Sequence, residues 1–325
     1  MAIPPQVIIS PGQGAQAVGM ARIWCEFSPA ARKVFQAADA ALGTRLGHKL
    51  SDLCFNGPAE RLNQTDASQP AIYTASIACW QGLLAEWSMA ANETDLIAAA
   101  GLSLGEYTAL CVAGAISFED GLELVTLRGR AMQDAAEAQP SSMLALIGAD
   151  EPQARTVCDQ AAEGDVLVPA NFNAPGQIVL SGHKAAITRA ASVATELGLR
   201  ATELAVAGAF HSPLMAPAAD RLRDALARTP IRGPRCPVIS NVTASPHGSN
   251  GSTIEDSIRQ RLVDQLTSPV RWAESCQTLS SLASARPGVE FHELAPGKTL
   301  AGLMRRIDRN IKVTTHEEPS QTHAA

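Results

Sequence analysis

Between residues 96 and 113 the chain runs from an apolar stretch, Leu-Ile-Ala-Ala-Ala, through Gly101-Leu102-Ser103-Leu104-Gly105 into a helical pattern, an order that few backbones accommodate. A short apolar run that stops at glycine reads as a buried strand. A Gly-x-Ser-x-Gly turn between a buried strand and a helix is a nucleophile elbow: the sharp turn holds the serine in a strained backbone geometry and pushes its hydroxyl outward. Glycines on either side let the strand and helix approach closely. The N–H of Leu104, at the start of the helix, points where it and the helix dipole can stabilise an oxyanion. Five residues with three fixed positions recur in unrelated chains, however, and a serine at this place also serves as a plain helix N-cap.

The same alternation extends along the chain. Residues 6–10, Gln-Val-Ile-Ile-Ser, form a β-branched run ended by Pro11-Gly12 and read as a buried strand. Helical periodicity follows over 21–42, then over 70–87 with Pro70 in the first turn, 106–113 and 119–136. Strand, glycine-bearing turn and helix in succession define an α/β fold. The middle reads differently: strand 142–147, helix 151–162, a hairpin of 166–174 and 177–181 across Pro175-Gly176, helix 184–197 and strand 201–206. That is the split βαβ, ferredoxin-like order. Beyond it come strand 236–241, helices 254–266 and 270–283, strand 289–294 and helix 297–307. The expected architecture is an α/β-hydrolase-like large domain with a parallel sheet, residues 1–137 and 206–316, carrying an inserted ferredoxin-like small domain, residues 138–205. Residues 317–325, rich in Ser, Gln, Thr and His, are expected to be a disordered tail.

Composition removes several functional classes. A chain of 325 residues that is 46% hydrophobic and 18% charged can bury a sizeable core and is neither fibrous nor intrinsically disordered. A net charge of −6, with no basic cluster beyond Arg305-Arg306, argues against nucleic-acid binding. No apolar run is long enough to span a bilayer, and the opening MAIPPQVIIS lacks the basic and apolar regions of a secretion signal. The seven cysteines are scattered, odd in number and free of Cys-x-x-Cys pairs, which disfavours disulfides and structural zinc and suits a reducing cytoplasm.

A serine nucleophile needs a base. Among seven histidines, His211 follows Ala207-Gly208-Ala209-Phe210 and precedes Ser212-Pro213, just where the chain re-enters the large domain. That stiff loop can present an imidazole, although a loop histidine taken alone is more often a solvated surface group.

Five motifs then occur together. Gly12-Gln13-Gly14-Ala15-Gln16, Gly101-Leu102-Ser103-Leu104-Gly105-Glu106-Tyr107, Arg128-Gly129-x-x-Met132-Gln133, Gly208-Ala209-Phe210-His211-Ser212 and Pro296-Gly297-Lys298 stand in the order and approximate spacing of the malonyl-CoA:acyl carrier protein transacylases. The chain resembles that family over residues 7–307. The resemblance implies that Ser103 is acylated, that His211 is its base and later its acid, and that Gln13 and the Leu104 N–H form the oxyanion hole. It implies that a main-chain carbonyl near Gln265, rather than a carboxylate, orients the imidazole. It places Arg128 at the base of the acyl pocket, with Met132 and Phe210 also lining it. There the planar guanidinium would hold the malonyl carboxylate by two parallel hydrogen bonds, whereas its bland alternative is a surface or snorkelling arginine. Leaving one member of a buried ion pair unpaired costs roughly 3–5 kcal/mol, about 10²–10³-fold against an acyl group without a carboxylate. A contact with one methylene is worth only about 1–3 kcal/mol, so charge sets the substrate class and shape trims it. The bulk of Phe210 suggests an unbranched acyl group.

The implied partners are malonyl-CoA and acyl carrier protein, with no nucleic acid, membrane, metal or organic cofactor, and a monomer is the default. Carrier proteins of this kind are acidic, which directs attention to Lys298, Arg305 and Arg306. The chain departs from the family pattern at Leu102, often histidine, and at Ala295, often glycine. The competing readings are a stand-alone polyketide-synthase acyltransferase, a serine hydrolase with the same elbow, and a non-enzymatic carrier-binding protein.

Overall fold

The structure is a computed structural model that describes residues 3–249 and 251–320. Eight strands are described: β1 (Gln6–Ser10), β2 (Leu96–Gly101), β3 (Ser141–Ile147), β4 (Leu167–Ala174), β5 (Gln177–His183), β6 (Arg200–Glu203), β7 (Glu290–Leu294) and β8 (Val313–His316). They form two sheets. One is parallel, in the order β2-β1-β7-β8. All five residues of β1 are buried, as a central parallel strand covered on both faces requires. One face packs on a core that includes Trp24, Ile72, Leu110 and Leu122; the other holds Val7, Ile9, Trp272, Leu279 and Leu300. The fold is thus α/β with a parallel sheet, as expected.

The second sheet, β4-β5-β3-β6, is wholly antiparallel. Its hairpin turns through Pro175-Gly176, with Gly176 at φ 71°. Helices Glu151–Ala161 and Lys184–Glu196 cover one face, and their contact is built from small side chains (Ala154, Ala161, Ala186, Ala190) around Val157 and Ile187. Element order and strand order are those of the ferredoxin-like unit read from the sequence. This sheet is pinned to the other half of the chain. Val270 N–H donates to Ala170 O at 2.8 Å, and Phe172 N–H donates to Val270 O at 2.9 Å.

Several local expectations differ. Helix Thr65–Glu86 begins one turn before Pro70, which lies inside it rather than in its first turn. A salt bridge from Arg61 to Asp66 fixes that earlier turn, and burial of nearly the whole helix offsets the lost proline N–H. The pattern over 21–42 is two helices, Arg22–Phe27 and Pro29–Leu42, separated at Ser28, whose hydroxyl caps the second. Residues 236–241 do not make a full strand. Val238 and Ile239 form isolated bridges to Ala99 and Pro246, because the following chain must turn to deliver Asn241 to the elbow. β8 was not anticipated in a short, polar Val-Thr-Thr-His stretch. Of the expected tail, residues 317–320 are described: Glu317 accepts from Gly297 N–H and Ser320 N–H donates to Glu86 at 3.0 Å. Residues 321–325, with His323, lie outside the described residues. No helix among the described residues is long and apolar enough to cross a membrane.

Candidate active site

The elbow is made possible by its glycines. A Cβ on Gly101 would stand 2.0 Å from the backbone of Gly105, and one on Gly105 would stand 2.2 Å from Ser10 O. The turn is therefore pressed between strand β1 and its own helix, Gly105–Val112. Ser103 sits at its apex with φ 53°, a left-handed conformation that a non-glycine residue adopts at a cost. Its hydroxyl caps no helix. It lies 2.8 Å from His211 Nε2 instead.

His211 is set by the loop that follows β6. A Cβ on Gly208 would come within 2.5 Å of Ala136 Cβ, so the loop lies flat on the helix Phe118–Glu137. Ala209 N–H to Ser141 Oγ (3.1 Å) and Ser212 Oγ to Ala209 O (2.7 Å) fasten it. His211 Nδ1 stands 2.7 Å from the carbonyl oxygen of Gln265. Gln265 closes the helix Ile254–Asp264, where terminal carbonyls lack intrahelical partners and are free to accept. A carbonyl can only accept, so Nδ1 carries the proton and Nε2 is left to accept from the serine hydroxyl. Burial, helped by the positive charge of Arg128, pushes the imidazole down to about 4 against the weaker opposing effect of the Gln265 bond. The ring is a neutral base at neutral pH.

Arg128 is 1% exposed on the helix Phe118–Glu137. Its guanidinium donates to Ser103 Oγ (3.0 Å), Gln265 Oε1 (2.9 Å) and Gln69 Oε1 (2.7 Å), all neutral, while its Nε has no partner. It lies 5.5 Å from the centre of the Tyr107 ring. Desolvation lowers its pKa, which is the mark of a cation buried without full charge compensation. The surface-arginine alternative is excluded by this burial.

The remaining expected residues lie around this centre. Leu104 is fully buried at the helix start. Gln13 follows β1, and a Cβ on its neighbour Gly12 would meet Leu102 O at 2.3 Å, so the two turns touch; the Gln13 side chain donates to Thr65 Oγ1 at 3.2 Å rather than to Ser103. Met132 Sδ accepts from Gln69 Nε2 at 3.3 Å, which joins it to the amide that holds Arg128. Phe210 is buried in the larger core. Lys298, Arg305 and Arg306 are exposed, and Arg306 donates to Gln177 on the second sheet at 3.1 Å. A cleft of about 200 Å³ opens beside His211, walled by Val168, Pro169, Pro213, Thr267 and Pro269, with Arg155 at its edge. A larger cavity of about 700 Å³, lined by Phe27, Pro29, Gly82 and Glu86, shares no residue with this site.

Four participants were given no role from the sequence: Gln69, Asn241, Glu106 and His247. Asn241 Oδ1 accepts the Ser103 N–H at 2.6 Å, and Glu106, fully buried, accepts from Asn241 N–H and Gln265 Nε2. Glu106 was visible only as the residue after the elbow; the other three carry no local signal, because distant segments deliver them. Among the described residues no group of three or more His, Cys, Asp or Glu is arranged to hold a metal.

A serine hydroxyl, a carbonyl-oriented neutral imidazole and a buried guanidinium within one hydrogen-bonded cluster can carry acyl transfer to and from a serine. The family model for the acyl transferase domain matches residues 7–312, and the chain belongs to that family. Within it, the chain is 40% identical over 319 residues to the malonyl CoA-acyl carrier protein transacylase of Escherichia coli K12, covering 98% of this chain and 97% of the relative. Its fold matches the crystal structure of malonyl-CoA:acyl carrier protein transacylase from Xanthomonas oryzae pv. oryzae with a TM-score of 0.87 at 40% identity, covering 98% of this chain and 96% of that one. A type II PKS acyl-carrier protein in complex with its malonyl-transacylase gives a TM-score of 0.87 at 35% identity, covering 97% and 96%.

Proposed function

We propose that the protein transfers a malonyl group from malonyl-CoA to the pantetheine thiol of an acyl carrier protein through a malonyl-Ser103 intermediate. The single observation that carries this reading is Arg128: a buried guanidinium, ringed by neutral partners, 3.0 Å from the nucleophile. Such a cation is matched to a substrate that brings its own carboxylate.

The cycle is ping-pong. Ser103 Oγ attacks the thioester carbon as its proton passes to His211 Nε2. The oxyanion forms against the Leu104 N–H, with Gln13 beside it. The C–S bond breaks and His211 returns the proton to the departing thiolate. The carrier thiol then repeats these steps in reverse on the acyl-serine. Gln265 holds His211 in the required tautomer. Phe210, and Met132 through Gln69, shape the acyl pocket for an unbranched group. The unit of residues 138–205 covers the cleft beside His211 and limits access of water to the acyl-enzyme. Exposed Lys298, Arg305 and Arg306 offer a docking face for an acidic carrier protein. The reading includes a cytoplasmic location, in keeping with seven cysteines that are all free, and a monomer as the default.

The test is intact-protein mass after brief mixing with malonyl-CoA alone, followed by addition of carrier protein. One malonyl adduct, absent in Ser103→Ala and discharged onto the carrier faster than into water, is the expected result. An adduct discharged only into water would mean a hydrolase, and no adduct would overturn the donor. The relative solved with a type II PKS carrier gives a second reading of the pathway: the same transfer serving polyketide rather than fatty-acid assembly.

A further inference from the structure

Behind the elbow lies a buried acid that takes no part in the chemistry above. Glu106 and His247 both have fully buried side chains, and His247 Nε2 stands 3.0 Å from Glu106 Oε1. The other carboxylate oxygen accepts from Asn241 N–H at 3.0 Å and from Gln265 Nε2 at 2.7 Å. Each of those two partners reaches the reacting groups. Asn241 Oδ1 takes the Ser103 N–H at 2.6 Å, while its Nδ2 donates to Gly101 O at 2.7 Å, so it clamps both arms of the elbow. Gln265 offers its carbonyl to His211 Nδ1, its Oε1 to Arg128 and its Nε2 also to Ser103 O at 3.1 Å. One carboxylate therefore holds, through two residues, the nucleophile, the base and the guanidinium at once.

We infer that Glu106 is the positioning residue of the site: its hydrogen bonds to Asn241 and Gln265 set the aim of Ser103, His211 and Arg128 on one another. The inference rests on the serine chemistry proposed above but not on the identity of the acyl donor. The alternative is a buried pair that stabilises the fold only. Hydrogen-bonding capacity separates the two. Leucine at this position leaves the Asn241 N–H without an acceptor and the Gln265 Nε2 with Ser103 O alone, and both must find other geometry. Glutamine keeps one oxygen for them and turns its NH₂ toward His247. His247 accommodates this by moving its proton to Nδ1, an atom that has no partner in the structure. Glu106→Gln is thus the rescuing variant, and Glu106→Leu the disabling one.

The experiment follows two reactions of Ser103 in wild type, Glu106→Gln and Glu106→Leu, each normalised to the folded fraction and measured across pH. The first is acylation by malonyl-CoA. The second is modification by an uncharged fluorophosphonate, in which the Ser103 Oγ–P bond forms, the P–F bond breaks and the proton passes to His211. Misplacement of reacting atoms by about 1 Å costs on the order of 10²-fold, and that is the slowing expected of Glu106→Leu in both reactions, with Glu106→Gln close to wild type. Should Glu106→Leu not fold, Glu106→Asp keeps the carboxyl oxygens but withdraws them by one methylene, and a slowing of about ten-fold is expected from the same loss of alignment. Wild-type rates per folded molecule in Glu106→Leu, or in Glu106→Asp where that variant decides, would leave the pair a purely structural one and overturn the inference. If the wild type reacts with the fluorophosphonate but not with malonyl-CoA, the proposed donor fails, and the positioning role is still decided by the fluorophosphonate rates.

Discussion

Arg128 donates to the Ser103 hydroxyl at 3.0 Å in the free protein, so the group that would select the substrate and the group that would attack it are hydrogen-bonded before any substrate arrives. A carboxylate entering the pocket competes for the guanidinium with Ser103, Gln265 and Gln69. It wins because it adds an opposite charge and two parallel acceptors matched to the planar fork, where Ser103, Gln265 and Gln69 each offer one neutral acceptor. Pairing then frees Ser103 Oγ from a donor that depresses its nucleophilicity. Arg128→Ala is expected to lower kcat/KM for malonyl-CoA by about 10²–10³-fold while leaving acetyl-CoA turnover unchanged or higher, because only the first substrate loses a buried ion pair. Arg128→Lys, a point charge without the planar fork, should recover only part of the loss. Steady-state kinetics with both thioesters checks this, and an equal loss for the two would show that Arg128 serves the elbow rather than the carboxylate.

The same proximity fixes the pH dependence. Burial, and secondly Arg128, hold His211 down to about 4, so the neutral, proton-accepting form persists far below the usual histidine range. The fluorophosphonate reaction of the free protein should therefore lose rate on acidification only near pH 4, and in Arg128→Ala that limb should move upward without reaching the ordinary histidine value, since burial is the larger cause. Stability follows the same sign. His211, and the stacked pair His292 and His316 (also held near 4 by burial), prefer the neutral form when folded. Their contribution is complete above about 6.5, the unfolded value, and is lost as pH falls toward 4. Glu293, raised to about 7 by burial, acts oppositely: what it contributes is present below the unfolded carboxyl value and is lost as pH rises through 7. Thermal midpoints of His292→Asn and Glu293→Gln against pH separate the two. The first should flatten the fall between 6.5 and 4, and the second should remove the decline toward 7.

How much of this was legible in the residues follows from how locally each feature is encoded. The elbow was readable because strand, glycine, serine, glycine and helix are contiguous, and each constrains the next. The second sheet was readable because its strands and helices alternate with clear turns, down to Pro175-Gly176. Pro70 misled, since a proline usually marks a first turn, yet here the distant Gln133 accepts the Thr65 N–H, and together with the ion pair of Arg61 and Asp66 it extends the helix backward past the proline. Asn241 and Gln69 were silent. Each is an amide in an unremarkable setting, and its meaning comes from a partner more than fifty residues away. Gln265 was identified for its carbonyl alone, but its side chain proves to reach Arg128, Ser103 and Glu106 as well.

The elbow glycines provide the sharpest structural prediction. Gly101 and Gly105 face each other so closely that a methyl group on Gly101 would lie 2.0 Å from the Gly105 carbonyl, and a methyl on Gly105 would lie 2.2 Å from Ser10 O. The obstructing atoms are backbone on both sides, held by the parallel sheet at Ser10 and by the helix at Gly105, and cannot swing away as a side chain would. Overpacking in a core that can adjust costs about 1–3 kcal/mol; here the backbone itself must move, so about 3 kcal/mol or more is expected for Gly101→Ala. The displaced strand end would also carry Ser103 from His211, separating activity loss from simple unfolding. Equilibrium denaturation reads the first effect. Fluorophosphonate labelling of the fraction that stays folded reads the second, and should fall well below wild type. By contrast, Gly114→Ala makes a useful control. Its Cβ would meet nothing within 4 Å, so its cost comes from the left-handed backbone alone, φ 77°, and labelling of Ser103 should be untouched. Normal labelling and stability in Gly101→Ala would mean that the strand and helix have more room than the close approach of these two glycines implies.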